Sequence, residues 1–259
     1  MPDSSQGEGS VGLRFLQWFR EEVERRGLSR AMWHSFEISW QFLRESMPDR
    51  RRQRYGDADY DWEYRVDTTS ATVDWRERLL GLLHSPYQPT DPALFHEMIS
   101  KLAIDFHSFA FIDIGSGKGR VLLTAADYPF RRIIGVELLP ELHRIALENV
   151  GKYKSDSQRC FAIEVICGDA LDFVFPPGPM VVYLFNPLPE AGLVKLLANL
   201  ERSLKENPRP VYVLYHNPLL EHVLTANKWL SRISGTHQYS VYSICGADKN
   251  HFAPLFPPT

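Results

Sequence analysis

An apolar run, an acid and three alternate glycines follow one another at Phe111-Ile112-Asp113-Ile114-Gly115-Ser116-Gly117-Lys118-Gly119-Arg120. Phe109–Ile114 reads as a buried parallel strand, because only Asp113 near its end is polar. Val121, Leu122, Ala125 and Ala126 then recur at helical spacing and read as the inner face of a helix. Between the two, the glycines let the backbone turn sharply and let a ligand approach it closely. The start of the helix offers backbone N–H groups with no partner inside the helix. A strand, glycine turn and helix of this kind sets an α/β architecture with a nucleotide-type site. A dinucleotide loop, Gly-x-Gly-x-x-Gly, would need glycine where Arg120 stands. A phosphate-binding loop needs Ser or Thr after its Lys, and Lys118 is followed by Gly119.

Strands and helices alternate downstream. Arg132–Leu138 is a second strand ending near Glu137, and an acid there can accept hydrogen bonds from a ribose. Pro140 opens a helix through Leu142, Ile145, Ala146 and Val150. Phe161–Ile166 is a third strand, followed by Cys167-Gly168-Asp169-Ala170. Met180–Phe185 is a fourth, closing in Asn186-Pro187-Leu188-Pro189. Ala191–Leu204 is a long helix and Val211–Tyr215 a fifth strand. His216-Asn217-Pro218 stands at the carboxyl end of that strand, where ligand sites of such sheets lie. His216 is therefore either the best-placed base of the chain or a histidine bonded to a neighbouring loop. Leu219–Asn227 is a helix, and Trp229–Ile233 and Tyr239–Ile244 are the last strands.

Asp-Ile-Gly-Ser-Gly-Lys-Gly resembles motif I of the class I S-adenosylmethionine (SAM) methyltransferases, Asp-x-Gly-x-Gly-x-Gly. With Glu137, Asp169 and Asn186-Pro187 in the same order and spacing, the resemblance covers residues 85–245. It implies a Rossmann-like seven-stranded, mostly parallel sheet with an antiparallel last strand, preceded by a helical extension. It implies SAM as cofactor and no metal. Asp113, Gly115, Ser116, Gly117 and Gly119 would hold its amino-acid part, Glu137 its ribose, and Asp169 with Ala170 its adenine. Tyr87-Gln88-Pro89-Thr90 looks similar to a Tyr-x-Pro-Ser/Thr segment that touches the cofactor in lysine methyltransferases, which adds Thr90 and Tyr87. A proline-stiffened turn also explains this stretch. Asn186-Pro187 resembles the Asn-Pro of motif IV, which orients an acceptor amine, with His216 or Tyr87 assisting. Leu188 and Pro189 depart from that motif, and no aromatic follows to stack on a flipped base. The wording Asp-Ile-Gly-Ser-Gly-Lys-Gly-Arg, with Gly-Val-Glu-Leu after it, leans to the lysine-methyltransferase branch. A small-molecule methyltransferase and a SAM-fold protein without catalysis are the alternatives.

The other features bound this reading. The 259 residues suffice for one large domain with an appendage. A net charge of −3 gives no general attraction to nucleic acid or anionic membrane and argues against a nucleic-acid partner. Cys160, Cys167 and Cys245 form no close pair, which argues for a reducing compartment and against zinc. Met1–Ser10 carries no apolar core, so no leader is expected, and no apolar run is long enough to span a membrane. The cytoplasm is the expected location. Residues 1–84 read as a helical extension. Its Leu13–Val23 helix ends at Gly27, and Trp33, Phe36, Trp40 and Leu43 form a stripe on the next helix. This extension reads as a packed hairpin, a homodimer surface, a docking element, a lid over an acceptor or a membrane-surface contact. Residues 49–65 read as a charged linker in which Trp62 and Tyr64 rest on the protein. The catalytic domain runs over 85–246, and 247–259 is a proline-rich tail.

Overall fold

A computed structural model describes residues 20, 23, 27, 58–68 and 89–244. The helical hairpin, the arginines at 50–54, Tyr87 and the tail lie outside the described residues. Of the first helix, Arg20 and Val23 are helical, and Gly27, at φ 81°, donates its N–H to the Val23 carbonyl at 2.9 Å. Asp59–Thr68 and the chain from Gln88 onward form one compact unit.

That unit is a seven-stranded sheet. Its strands are β1 (Ala110–Ile114), β2 (Arg132–Glu137), β3 (Ile163–Cys167), β4 (Met180–Leu184), β5 (Val211–His216), β6 (Leu230–Gly235) and β7 (Tyr239–Ile244). They lie in the order β3-β2-β1-β4-β5-β7-β6. β1 to β5 are parallel, and β7 runs antiparallel to both β5 and β6. The mostly parallel sheet with an antiparallel last strand is thus the one expected.

Every residue of β1 and β4 is buried, as apolar strands covered on both faces must be. Alternation divides their side chains. Ile112, Ile114, Val182 and Leu184 face helix α5 (Glu190–Glu206), which packs Leu193, Leu196, Leu197 and Leu200 at helical spacing. Phe111, Val181 and Tyr183 face the opposite layer, with Phe95, Met98 and Ile99 of α2 (Pro92–Ser100) and Leu122 of α3 (Arg120–Ala125). Gly135 of β2 admits α3 closely, since a Cβ there would meet Leu122 Cδ1 at 2.7 Å and Ser116 Oγ at 2.8 Å.

The chain steps outward from β1 through β2 to β3, then returns to place β4 on the other side of β1. The carboxyl ends of β1 and β4 therefore flank the switch point of the sheet, where α/β domains open a ligand crevice.

Three expectations change. The third strand starts at Ile163, its first partner on β2, and Phe161 is 78% exposed. The helix expected over Leu219–Asn227 shortens to α6 (Glu221–Thr225), with Leu219 exposed. The charged linker contains a helix, α1 (Ala58–Tyr64). Tyr60 and Tyr64, four residues apart, share one face of α1, with ring centroids 4.8 Å apart and Tyr64 against Tyr153 at 5.2 Å. Trp62 falls on the other side and is 88% exposed, so it does not rest on the protein as expected.

Candidate functional site

Gly115, Gly117 and Gly119 all have positive φ, at 79°, 54° and 85°. The alternate glycines thus answer to a backbone that side chains with a Cβ rarely adopt. After Ile114 the loop crosses the end of β2, where Gly115 and Ser116 donate their N–H groups to the Val136 carbonyl at 2.8 and 3.1 Å. At Gly115 a Cβ would also lie 2.8 Å from the Pro187 Cβ, so the glycine loop and the turn after β4 touch. Ser116 Oγ is buried without a hydrogen-bond partner.

Two buried carboxylates stand beside this loop. Asp113 pairs in register with Gly135, two residues before Glu137, so both acids point to the same face of the sheet. Glu137 Oε2 accepts the Gly117 N–H at 2.7 Å, and Oε1 accepts the Leu139 N–H at 2.8 Å. Glu137 therefore ties the loop to the end of β2. Burial, and then the charge of Glu137, push the Asp113 pKa well above the ordinary carboxylate range. Burial also raises Glu137, offset in part by hydrogen bonds from the backbone of Leu139, Gly117 and Leu138. Two acids held this way complement a cationic, hydroxyl-bearing ligand.

Asp169, at the end of β3, is exposed, and its Oδ1 accepts the Leu171 N–H at 2.9 Å. Ala170 is buried, and Gly168 donates to the Glu137 carbonyl at 2.9 Å.

On the other side of β1 the side chains are coupled in pairs. Asn186 has φ 45° and is buried; its Nδ2 donates to the Asn217 carbonyl at 2.6 Å. Its Oδ1 accepts from Tyr215 OH at 2.8 Å. The amide thus bolts the turns after β4 and β5 together. His216 Nδ1 lies 2.8 Å from Tyr183 OH, which is itself 2.8 Å from Thr90 Oγ1. The imidazole stacks on Phe185 with ring centroids 3.9 Å apart.

Burial lowers the His216 pKa to about 4, against a small opposing effect of Asp91. His216 is therefore neutral near pH 7, and an imidazole of that pKa takes no proton from an alkyl amine. His216 is hydrogen-bonded to Tyr183, a strand residue rather than the neighbouring loop, with Phe185 stacked on its ring. Its ring proton shifts should not titrate across the neutral range in an NMR pH series. A midpoint near the free-histidine value would contradict the packing described.

Asp113, Gly115, Ser116, Gly117, Gly119 and Glu137 are thus brought together, with Asp169 and Ala170 at the neighbouring strand end. Thr90 joins His216 through Tyr183, and Tyr87 lies outside the described residues. Tyr183 and Tyr215 look like ordinary strand residues in the sequence, and only the fold gives them their partners. Lys118 and Arg120, between glycines and a buried helix, call for nearby acids, but local pattern does not say which. Among the described residues no cluster of three metal-ligating side chains occurs, and no helix is long and apolar enough to cross a membrane.

No protein-family model matches the chain. A protein-lysine N-methyltransferase of Saccharolobus islandicus (strain REY15A) is 34% identical over 70 residues, 27% of this chain and 43% of that protein. The chain thus spans less than half the length of this curated relative. Similar solved structures include an RNA methyltransferase from Salinibacter ruber in complex with S-adenosyl-L-homocysteine (20% identity, 60% of this chain and 92% of that one, TM-score 0.42). A ribosomal protein L11 methylase from Lactobacillus delbrueckii subsp. bulgaricus has 16% identity over 58% of this chain and 76% of its own, with TM-score 0.41. A predicted N6-adenine-specific DNA methylase from Listeria monocytogenes has 17% identity over 60% and 51%, with TM-score 0.46. Nothing among the described residues supports the expectation against a nucleic-acid partner. Seven strands in this order, with an acid and a glycine loop leaving β1 and an acid ending β2, give the chain the fold of the class I SAM-dependent methyltransferases.

Proposed function

We propose that this chain transfers a methyl group from SAM to the side-chain amine of a protein lysine. The observation that carries the cofactor is the buried pair Asp113 and Glu137 beside a glycine loop that Glu137 itself holds. SAM bound there supplies a methyl group activated by the positive sulfur. Asp113 accepts from the ammonium of the amino-acid part, for which a buried, ionisable acid is suited. Each oxygen of Glu137 keeps a lone pair beyond its backbone partner and accepts from the ribose. Ser116 Oγ, buried without a partner, gains one from the ligand. Asp169 and Ala170 line the adenine end, and Thr90 fixes the opposite side through Tyr183.

The acceptor side rests on Asn186. One of its N–H bonds goes to Asn217 and one lone pair to Tyr215, which leaves an N–H and a lone pair for orientation. An amine must be neutral to attack, and an apolar enclosure lowers its pKa. His216 does not take that proton, so the amine sheds it to water as it docks. Protein lysine is favoured by the name of the curated relative and by Asn186-Pro187 at the end of β4.

The test is titration with SAM and S-adenosylhomocysteine, followed by labelled methyl transfer to a cell lysate. Saturable binding and label on lysine in the protein fraction are expected. Asn186→Ala should lower turnover by about a hundredfold with cofactor affinity nearly unchanged. Label in RNA, DNA or metabolites would replace the acceptor class, and unchanged turnover would remove Asn186 from the reaction.

A further inference from the structure

Lys118 and Arg120 stand on either side of Gly119, and each is only 1% exposed. Neither faces open solvent. Lys118 Nζ is 2.6 Å from Asp67 Oδ1. Arg120 Nε donates to Thr68 Oγ1 at 2.6 Å, and its Nη2 donates to Asp61 Oδ1 at 3.3 Å. Its guanidinium carbon sits 4.6 Å from the centre of the Tyr60 ring. The short segment carrying these partners closes on itself, with the Thr68 N–H donating to Asp61 Oδ2 at 2.9 Å. Asn149 of α4 (Pro140–Lys152) bolts it to the glycine loop. Its Nδ2 donates to the carbonyls of Asp67 and Lys118 at 2.7 and 2.9 Å, and its Oδ1 accepts the Asp67 N–H at 2.9 Å.

We propose that residues 58–68 form a built-in clasp of the cofactor site, with Asp61, Asp67 and Thr68 as positioning residues for the glycine loop. The proposal rests on the SAM reading given above. Gly117 and Gly119 give the chain on both sides of Lys118 little intrinsic conformational preference. Its place is set from outside, by Asp67 at its ammonium and Asn149 at its carbonyl. The residue before it, Gly117, is the one whose N–H reaches Glu137. A shift of the clasp therefore moves the donor that orients the ribose-binding acid. A buried ammonium or guanidinium without its acid is costly, so loop and clasp hold together or loosen together. Both cations are taken up by acids, in keeping with a ligand part that carries no phosphate. What steadies the loop for the cofactor must also be steadied by it, because coupling between two sites is reciprocal.

The experiment is calorimetric titration of the full chain with S-adenosylhomocysteine for wild type, Asp67→Asn, Thr68→Val and Thr68→Ser. It is paired with amide exchange over residues 58–68. Asp67→Asn and Thr68→Val should each weaken binding about tenfold. Thr68→Ser, which keeps the hydroxyl, should restore it, a split that lost packing alone would not produce. In the wild type the ligand should slow exchange within the clasp. Wild-type binding with both variants equally tight, or with exchange in the clasp unchanged by ligand, overturns the clasp and leaves the cofactor reading standing. A wild type that binds neither SAM nor its product overturns both.

Discussion

Glu137→Ala should lower the affinity for S-adenosylhomocysteine by at least about a hundredfold and reduce stability at the same time. Its carboxylate accepts from the N–H groups of Gly117 and Leu139. Alanine leaves both donors beside a buried strand end without an acceptor, at about 1–3 kcal/mol for each that water does not reach. One effect opposes this. Asp113 loses the negative charge that, after burial, most raises its pKa. The offset is electrostatic and recovers no acceptor, so the net loss remains. Glu137→Gln is no gentler for the loop, since one acceptor oxygen becomes an N–H facing a backbone N–H. Calorimetry together with thermal melting would check this. Binding by the alanine variant within about threefold of wild type would exclude Glu137 from the site.

Asp113→Asn should act in opposite directions on stability and on binding. The folded-state pKa of Asp113 is raised, so between its ordinary and its raised value the folded chain holds a proton that the unfolded chain has released. The stability linked to that proton is fully present below the ordinary aspartate pKa. It is lost as pH rises through the raised value. Above its raised pKa the ionised acid is a buried charge beside Glu137, and Asn removes that cost. The unliganded variant should melt higher than wild type above that pKa, with the difference fading as pH falls through it. Its affinity for SAM should fall by about a hundredfold, because the ammonium loses a buried counter-charge. Wild-type affinity should likewise weaken as pH falls through the raised pKa, where Asp113 becomes neutral. Melting curves and titrations across pH measure both arms. A variant no more stable than wild type at any pH across the series, or one that binds SAM equally well, would sink the account of Asp113.

Both acids could be placed from the sequence, because their positions follow from local rules. The uninterrupted apolar runs of β1 and β4, and the glycines after Ile114, announce a buried parallel strand and a turn. An acid just before such a turn and another ending the next strand then fall on one edge. What local pattern does not carry is a partner distant in the chain. Asp61 belongs to an alternating acidic run, Asp57, Asp59, Asp61 and Glu63, and neither it nor Asp67 and Thr68 points to Lys118 and Arg120 until folding brings them together. His216 was legible as a strand-end residue, but its neutrality depends on Tyr183 and Phe185, which come from β4 and the turn after it. Phe161 is apolar like the strand, but it stands before Ile163, the first residue that pairs with β2.

The contact between Gly115 and Pro187 bears on how such an enzyme could be remodelled. The turn that would cradle the methyl donor and the turn that would present the acceptor are cut to each other's shape, with no room for a methyl group between them. Swapping in an acceptor turn from another enzyme to change the substrate would fail unless the new turn yields the space that Pro187 leaves. Lineages that diversify their substrates should change these two positions in concert, or keep both and vary the residues that follow.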